Sequence, residues 1–425
     1  MPTGERPPRL AIVYDADSFG PLEIADAAGG AWQTVWVIDR RSLPDAGTLT
    51  RLLRRIGDVV DTTGLGAERA AAAIGAARVD GIITFSDEQL AATADLAATL
   101  GLPHHSPTTA RLLTHKGAQR SALQAAGIAV PEHWAVPQDS GQWPELCRRV
   151  RYPAVVKPQF GRGSRHTYLV RDSAELNSTL EQLRDRSADD EAGDAGDMVV
   201  EEYIADSWNR ADRPIADFVS VESVASRGRL RTIAVTGKLP LSEPFRETGD
   251  FVPSDLDPAT SASVADLAGL GARALGVTVG ALHTEIKLTP EGPRIIEING
   301  RVGGGGIPEA IERVSGYSLL RAAGLAALGH PVADGPPPAT NGVAFSYFLQ
   351  PPVSARTVER VEGVDALTSL DGVLDVTLNR RAGSPLDWRN GFDDHIVAVR
   401  GATRSHAAVH EVIAAIKATV SVGYG

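Results

Sequence analysis

The chain has 425 residues, a formal net charge of −11 and 43% hydrophobic residues, so it is long enough for roughly two to four globular domains. The negative charge argues against nucleic acid or an anionic membrane surface as the main partner. The single cysteine, Cys147, excludes a disulfide framework and a cysteine-rich metal site.

The amino-terminal segment, Met1 to Leu10, contains charged residues and prolines and lacks the apolar core of a signal peptide. No apolar run further along the chain approaches the ~18 residues needed to cross a bilayer. We therefore expect a cytoplasmic protein without a membrane or nucleic-acid partner. The oligomeric state is open, although homodimers are common among soluble enzymes.

Short apolar segments then alternate with alanine-rich segments in the first part of the chain. This alternation predicts a parallel sheet covered by helices. The predicted strands are 10–14, 34–38, 58–60 and 81–85, and the predicted helices lie around 67–77 and 88–100. The glycine motifs of Rossmann dehydrogenases, P-loop proteins and α/β-hydrolases do not occur in the sequence, which removes those three interpretations.

A second unit begins near Arg111, after a linker at 101–107. The residue pattern predicts a helix from Leu112 to Ala126. Cys147 falls in a further predicted helix at 144–150, where a structural role is favoured over that of a nucleophile.

Lys157 ends an apolar strand before a proline, so its ammonium group can project from a rigid edge. A turn with Gly161, Gly163 and Ser164 follows; it allows close backbone approach and offers N–H groups and a hydroxyl to phosphate oxygens. Taken alone, this turn is equally consistent with an ordinary hairpin loop. The next predicted features are a strand at 166–170, an exposed acidic loop at 189–197 and a strand at 198–204.

Two alternating segments, 281–288 and 294–301, are separated by a turn-forming stretch and predict a β-hairpin. Four polar groups then share one face of the hairpin, while apolar residues fill the other. With the turn centred on Glu291, the opposed pairs are His283 with Asn299 and Glu285 with Glu297.

Two carboxylates directly opposed across a strand pair repel each other unless a cation lies between them. Oxygen ligands from Glu285, Glu297 and Asn299 suit a hard ion such as Mg²⁺ or Mn²⁺ that also carries phosphates. Arg301 follows on the same face, positioned to hold an anion. The hairpin is therefore predicted to be a metal site.

A proline-rich boundary at 335–338 precedes the last unit. This unit is predicted to contain strands and one helix, and an apolar stripe marks the core face of the helix. The strands are 343–349, 373–379 and 395–400, and the stripe consists of Val409, Ile413, Ile416 and Val420.

The order of a lysine, a glycine-rich turn, a strand and a two-carboxylate hairpin resembles that of the ATP-grasp superfamily. The chain most resembles its carboxylate–amine ligases, in particular the dipeptide-forming L-amino-acid ligases, over essentially its whole length. The resemblance implies a fold of α/β and α+β parts. These are an N-terminal parallel α/β domain (1–110), an ATP-grasp body with two α+β subdomains that grip ATP (111–333, lid about 130–202) and a small C-terminal α+β domain (340–425).

The resemblance also implies roles in ATP binding. Lys116 and Lys157 would contact the phosphates, and the loop with Gly161, Gly163 and Ser164 would cover them. The hinge would bind adenine through its backbone, and carboxylates nearby would make further contacts around the ribose. The hinge residues are Glu201, Glu202, Tyr203 and Ile204, and the candidate carboxylates are Asp217 and Glu222.

The remaining implied roles concern the metal and the substrates. Glu285, Glu297 and Asn299 would bind Mg²⁺, and Arg301 would hold the substrate carboxylate or the transferring phosphate. His283 would accept a proton from the attacking amine, stabilise the intermediate, or only hydrogen-bond Asn299. The residues on the substrate side are Glu247, Lys238, Arg301 and Gly304, with Glu247 either pairing with an amino group or lying in a solvated loop.

The sequence departs from the pattern of these ligases at two places. Arg165 and His166 stand where the phosphate loop usually carries another glycine, so the loop is expected to be stiffer or to make its own phosphate contact. Asp250 stands where the substrate segment often has a histidine. The second departure leaves the bound amino acid undetermined.

The implied function is that of an ATP-dependent ligase that forms carbon–nitrogen bonds. A carboxylate, expected to be an amino acid, is activated as an acyl phosphate and joined to an amine, expected to be another amino acid, with release of ADP and phosphate. The alternatives are a biotin-carboxylase-like enzyme, a formyl-phosphate-type enzyme and a non-catalytic nucleotide sensor. A sensor is disfavoured because the lysines and the metal ligands are all present.

Overall fold

The computed structural model describes residues 6–187, 198–205 and 215–425 of the chain. The predicted acidic loop at 189–197 lies outside the described residues. Within the described ranges, no helix is both long enough and apolar enough to cross a membrane.

The amino-terminal part is a parallel four-stranded sheet in the order β3-β2-β1-β4. Helices follow the strands, and apolar residues such as Leu10, Ile12 and Trp36 are buried between sheet and helices. The predicted parallel α/β arrangement is therefore confirmed. The elements are β1 (Arg9–Val13), α1 (Pro21–Ala28), β2 (Gln33–Ile38), α2 (Ala46–Ile56), β3 (Asp58–Asp61), α3 (Ala67–Ala76), β4 (Gly81–Ile83) and α4 (Asp87–Leu100).

The single helix predicted from Leu112 to Ala126 is wrong, because the chain turns at His115. Two helices replace it, α5 (Pro107–Thr114) and α6 (Lys116–Ala125). His115 has an extended backbone, and its Nδ1 accepts a hydrogen bond from the backbone N–H of Ala118 at 3.2 Å. Lys116 consequently begins a helix instead of lying inside one.

A second four-stranded sheet, antiparallel and in the order β5-β8-β6-β7, forms the next unit. Its last short strand begins at Tyr168, two residues later than predicted, because His166 adopts a left-handed conformation with φ 48°. The elements are β5 (His133–Ala135), α7 (Trp143–Arg149), β6 (Ala154–Pro158), β7 (Tyr168–Val170), α8 (Ser173–Ser187) and β8 (Met198–Glu202).

The centre of the protein is an eight-stranded antiparallel sheet in the order β13-β12-β9-β10-β11-β14-β17-β16. Its strand Phe218–Ser226 is buried throughout, and the neighbouring strand Arg229–Lys238 is buried over its last six residues. The elements before residue 340 are β9 (Phe218–Ser226), β10 (Arg229–Lys238), β11 (Gly249–Val252), α9 (Pro258–Ala274), β12 (Gly280–Lys287), β13 (Arg294–Asn299), α10 (Ile307–Ser315) and α11 (Leu319–Ala327).

The carboxyl-terminal part completes this sheet, since β11 pairs with β14 and β14 with β17. The proposed domain boundary near 335–338 thus falls between strands of one continuous sheet. The predicted helical stripe is confirmed at Val409, Ile413 and Ile416, which are buried, whereas Val420 lies just after the end of the helix and is partly buried. The elements are β14 (Val343–Leu349), β15 (Val358–Glu362), β16 (Val373–Leu378), a short 3₁₀ segment (Trp388–Asp394), β17 (Val397–Thr403), α12 (His406–Thr419) and β18 (Ser421–Tyr424).

Candidate active site

The β12–β13 hairpin has the predicted register at its functional end. His283 pairs with Asn299 and Glu285 with Glu297. A β-bulge lies next to this pair, because Ile286 pairs with Ile295 and one residue on β13 is left over. The hairpin is therefore irregular towards the turn, yet the two carboxylates oppose each other as expected.

The donor set of the hairpin fits a hard divalent cation. Glu285 and Glu297 retain 21% and 16% exposure of their side chains, and Asn299 lies beside them across the strand pair. Nowhere in the described parts of the chain are three histidine, cysteine, aspartate or glutamate side chains placed to share a metal ion. A metal at this position would thus depend on two carboxylates and the Asn299 amide oxygen, a set suited to Mg²⁺.

Lys116 joins the nucleotide-side residues to this hairpin. Its Nζ lies 2.8 Å from Oε1 of Glu297 and donates a hydrogen bond to the carbonyl oxygen of Gly161, also at 2.8 Å. The position follows from the turn at His115, which brings the lysine to the amino-terminal end of α6. One side chain thereby contacts both the predicted metal ligands and the predicted phosphate loop.

Lys157 lies in a buried ionic cluster with Glu201 and Arg120. Its Nζ is 2.7 Å from Oε2 of Glu201, and Nε of Arg120 is 3.1 Å from the other oxygen. Burial lowers the pKa of Lys157, although the carboxylate opposes this. Burial alone would raise the pKa of Glu201, but the two cations outweigh it and lower that pKa. The Glu201 side chain therefore holds the ammonium group of Lys157 in place through this ion pair. This role is separate from the predicted binding of adenine by the Glu201 backbone.

The glycine-rich loop, residues 161–166, contacts both the amino-terminal and the carboxyl-terminal part of the chain. On the amino-terminal side, Nη2 of Arg162 lies 3.0 Å from Oδ2 of Asp17 and its Nε lies 3.2 Å from Oε1 of Glu88. Ser164 has a left-handed backbone with φ 56°. Together with the hydrogen bond from Lys116 to Gly161, these contacts hold the loop beside Lys116.

The carboxyl-terminal 3₁₀ segment holds the other side of the loop. Nε of Arg165 donates to Oδ2 of Asp393 at 2.6 Å, and the N–H of Phe392 donates to the carbonyl oxygen of Gly163 at 2.8 Å. The N–H of His166 donates to the carbonyl oxygen of Arg389, also at 2.8 Å. Arg165 and His166, which replace glycine in the expected pattern, thus contact the protein itself.

The predicted hinge lies at the end of β8, next to the second sheet. The N–H of Glu202 donates to the carbonyl oxygen of Glu132 at 2.8 Å, and its side chain pairs with Arg294 at 2.7 Å. Tyr203 packs near the ring of Phe245, with centroids 6.2 Å apart. Ile204 follows, close to the end of the described range. Adenine binding by this segment stays a prediction.

His283 and Glu222 form a buried pair, because they lie opposite each other on β12 and β9. Nδ1 of His283 is 2.8 Å from Oε1 of Glu222, and Nε2 is 3.5 Å from Oε1 of Glu285. Burial alone would lower the pKa of His283, but the Glu222 carboxylate outweighs it and raises the pKa to about 9. Glu222 is therefore occupied by the imidazole, and His283 is a cation at neutral pH.

The other carboxylate proposed near the ribose, Asp217, is paired as well. Nζ of Lys287 lies 2.6 Å from its Oδ1. Arg301 pairs with Asp87 at the start of α4, with Nη2 2.7 Å from Oδ2. The arginine predicted to hold an anion is thereby linked to the amino-terminal sheet unit.

The predicted substrate-side residues lie on β10 and beyond. Nζ of Lys238 is almost fully buried and lies 3.5 Å from Oε2 of Glu247, which is partly exposed. Gly304 is open, because a Cβ added to it would meet no heavy atom within 4 Å. Asp250 lies opposite Lys238 on the neighbouring strand and is fully buried.

Residues 150–309 match the protein family described as an ATP-grasp domain. The chain contains an ATP-grasp domain. This match covers β6, the glycine-rich loop, the hinge and the β12–β13 hairpin, the parts of the structure that hold most of the predicted nucleotide and metal residues.

Proteins similar to this ATP-grasp chain include carnosine synthase 1 of Homo sapiens, 31% identical over 265 residues. That match covers 59% of this chain and 31% of the human protein, so the chain spans about a third of its length. The L-arginine-specific L-amino acid ligase of Bacillus subtilis is 24% identical over 351 residues, covering 80% of this chain and 79% of the ligase.

The fold of the ATP-grasp chain matches a crystal structure of an L-amino acid ligase from Bacillus licheniformis. The TM-score is 0.78 at 20% identity, covering 99% of this chain and all of the other. The mixed fold predicted from the sequence is thereby confirmed.

Several residues around the ATP-grasp domain escaped the sequence analysis. Arg120 lies one helical turn after Lys116, so its spacing could have placed it on the same face of α6. Asp87, Asp393 and Phe392 are far away in sequence from their partners, and no local pattern marks them.

Proposed function

We propose that the protein is an ADP-forming ligase that activates a carboxylate, expected to be an amino acid, and joins it to an amine, expected to be a second amino acid. The observation that carries this proposal is the pairing of Lys116 with Glu297 beside the opposed Glu285. A phosphate-binding lysine and two oxygen ligands for a metal then meet at one point. The names of the related carnosine synthase and L-amino acid ligase support amide formation between amino acids.

The proposed reaction has two steps. A carboxylate oxygen of the acid substrate attacks the γ-phosphorus of ATP. The bond between this phosphorus and the oxygen that bridges to the β-phosphate breaks, so that ADP departs and an acyl phosphate is formed. A neutral amine then attacks the acyl carbon, the carbon–oxygen bond to phosphate breaks, and the departing phosphate takes up the proton that the nitrogen releases as the amide forms. Such chemistry needs positioning and charge stabilisation more than a protein nucleophile.

The protein supplies those needs with cations and a covered cleft. Lys116 and Lys157 bind phosphate oxygens, and Arg301, linked to Asp87, orients the carboxylate or the transferring phosphate. A Mg²⁺ or Mn²⁺ ion held by Glu285, Glu297 and Asn299 would neutralise charge on the phosphates when bound. His283, kept protonated by Glu222, stabilises negative charge instead of accepting the amine proton at neutral pH.

The glycine-rich loop completes this proposal by excluding water. It is held closed over Lys116 by Arg162 on one side and by Arg165 on the other. A closed loop protects an acyl phosphate from hydrolysis. Small-molecule substrates, a cytoplasmic location and a homodimer are part of the proposal, and light scattering of the purified protein tests the last.

The experiment is ADP release with Mg-ATP across single carboxylic and amino acids, with and without hydroxylamine as a surrogate amine. Turnover with one acid and detection of its hydroxamate by mass spectrometry are expected. Bicarbonate and formate belong in the panel, because turnover with either alone would favour a carboxylase-like or formyl-phosphate-type enzyme. Tight Mg-ATP binding without turnover on any acid would refute the ligase.

A further inference from the structure

One face of the central sheet carries a row of polar side chains that continues beyond the proposed metal site. Lys238 on β10 lies opposite Asp250 on β11, and Asp250 lies opposite Ser346 on β14. Ser346 in turn lies opposite Arg400 on β17. Because directly opposed residues point to the same side of a sheet, these four side chains form a continuous row.

Asp250 is the least satisfied member of this row. Its residue exposure is 0%, and neither carboxylate oxygen has a hydrogen-bond partner among the residues that the structure describes. A buried carboxyl group without a partner is costly, and such groups in folded proteins usually await a ligand, a water or an ion. Burial raises the pKa of Asp250 to about 8, although the nearby charge of Lys238 opposes this.

The charges around Asp250 do not balance. Against the effect of burial, four nearby carboxyl groups raise the pKa of Lys238, those of Glu222, Glu247, Asp250 and Glu285. Arg400, at the other end of the row, pairs with Asp375 at 3.1 Å, and His283 pairs with Glu222 at 2.8 Å, so both side chains already have carboxylate partners. Since Lys238 is 3.5 Å from Glu247, its ammonium group is directed to that carboxylate, and Asp250 is left for another cation.

A glycine segment lies against the Asp250 carboxylate. A Cβ built on Gly305 would lie 3.4 Å from Oδ2 of Asp250, and the neighbouring Gly304 has open space around it. Gly305 and Gly306 both have left-handed backbones, with φ 70° and 92°. A glycine segment without side chains can approach the carboxylate closely and can also shift to admit a ligand.

We propose that Asp250 is a specificity-determining residue that binds a positively charged side-chain nitrogen, so that one substrate of the ligase is a basic amino acid. The inference rests on the function proposed above. Glu247, which is partly exposed beside Lys238, then takes the α-ammonium group, and the buried Asp250 takes the second cation. A carboxylate site of this kind discriminates strongly against a substrate that lacks the matching donor.

The test compares lysine and ornithine with norleucine, which has a side chain of similar length and no charge. One series varies the acid with hydroxylamine as the amine, and a second varies the amine with the best acid held fixed. In one of the two series, kcat/KM for a basic amino acid is expected to exceed that for norleucine by about tenfold or more. The responding series identifies whether the acid or the amine carries the cation.

Variants assign this preference to the carboxylate. Asp250→Asn is expected to bring the ratio close to one, because a neutral amide no longer compensates the charge of the basic side chain. The control is Asp266→Asn, at an exposed position on α9, which is expected to keep the ratio of the unsubstituted protein. A ratio at or below one in both series, or an unchanged ratio in Asp250→Asn, would overturn the inference. If Asp250→Asn does not fold, the preference of the unsubstituted protein alone decides.

Binding measurements separate failure of this inference from failure of the proposed function. Calorimetry with a non-hydrolysable Mg-ATP analogue present measures the affinities for lysine and norleucine without turnover. If neutral amino acids are turned over without a preference for basic ones, the proposed ligase function is supported and the proposed role of Asp250 is refuted. Tighter binding of lysine, lost in Asp250→Asn, retains that role even if no acid is turned over.

Discussion

Nζ of Lys116 lies 2.8 Å from Oε1 of Glu297, although 181 positions separate the two residues in the chain. Both side chains are largely buried, so the pair is well shielded from water. When Mg-ATP binds at the proposed site, the carboxylate is needed by the metal and the ammonium by a phosphate oxygen. Before the ligand binds, the ion pair therefore holds the carboxylate and the ammonium group in place. On binding, the pair is replaced by contacts of each group with Mg-ATP.

Because the Glu297 carboxylate is proposed to bind the metal, we expect Glu297→Gln to weaken nucleotide binding strongly. An amide is a weaker ligand for a hard cation than a carboxylate, so the affinity for Mg-ATP is expected to fall by about tenfold or more. Isothermal titration calorimetry with Mg-ATP, and with ATP plus a chelator, measures the change. The control is Glu312→Gln at an exposed position on α10, which should bind as the unsubstituted protein does. Equal Mg-ATP affinities in both variants would contradict the metal site.

Glu201→Gln is expected to destabilise the fold. The substitution removes the carboxylate that compensates Arg120 and Lys157, leaving two buried cations close to each other. Breaking a buried ion pair in this way typically lowers the free energy of unfolding by about 3–5 kcal/mol. Urea unfolding followed by circular dichroism measures the loss, with Glu68→Gln on the exposed face of α3 as the control. A loss no larger than that of the control would show that the cluster is not a stabilising unit.

Local patterns allowed the sequence to predict the hairpin and its opposed pairs. Strict alternation in β12 and β13 fixes which side chains share a face, so Glu285 and Glu297 could be placed opposite each other. The bulge beside them could not be predicted, because the alternation of polar and apolar residues is unbroken at the end of the hairpin that carries the two carboxylates. The helix break at His115 was missed because its cap is a histidine, a residue that gives a weak signal at such positions.

Long-range pairing was beyond the reach of the sequence pattern. The Arg301–Asp87 pair spans 214 positions, and the contact of Arg165 with Asp393 spans 228. The same is true of β14, which joins the central sheet through β11 although a proline-rich segment suggested a separate unit. Such contacts depend on how the sheets are assembled, and side-chain periodicity within one element carries no information about that assembly.

Gly391→Ala is expected to detach the glycine-rich loop from the carboxyl-terminal segment. A Cβ at this position would overlap the carbonyl oxygen of Gly163 and lie 2.8 Å from the backbone nitrogen of Arg165. The loop should then be cleaved faster by trypsin after Arg162 or Arg165, and the KM for Mg-ATP should rise.

Gly383→Ala is a matched control for this substitution. Gly383 also has a left-handed backbone, with φ 86°, but an added Cβ meets no atom within 4 Å. Both variants place alanine at a positive φ, and only Gly391→Ala brings a side chain against the loop. Equal cleavage rates in the two variants would show that the segment does not hold the loop in place.

The last prediction concerns acid stability and two neighbouring histidines, the partly buried His104 and the buried His105. Burial lowers the pKa of His104 to about 4 and that of His105 to about 3, so both are neutral in the folded protein. The unfolded chain binds these protons near pH 6.5, whereas the folded protein does not. Stability is therefore lost as the pH falls from about 6.5 towards 4, by about 1.4 kcal/mol per pH unit for each proton bound only by the unfolded chain.

Replacing both histidines with glutamine should flatten this dependence, whatever it does to stability at neutral pH. The measurement is the free energy of unfolding in urea at a series of pH values between 7 and 4, compared as slopes because carboxylates contribute equally to both proteins. His330→Gln, at an exposed position, is expected to keep the slope of the unsubstituted protein. If the double variant also keeps that slope, the two imidazoles must take up protons without unfolding, and the cavity that surrounds them next to Gly280 and Gly300 must admit water.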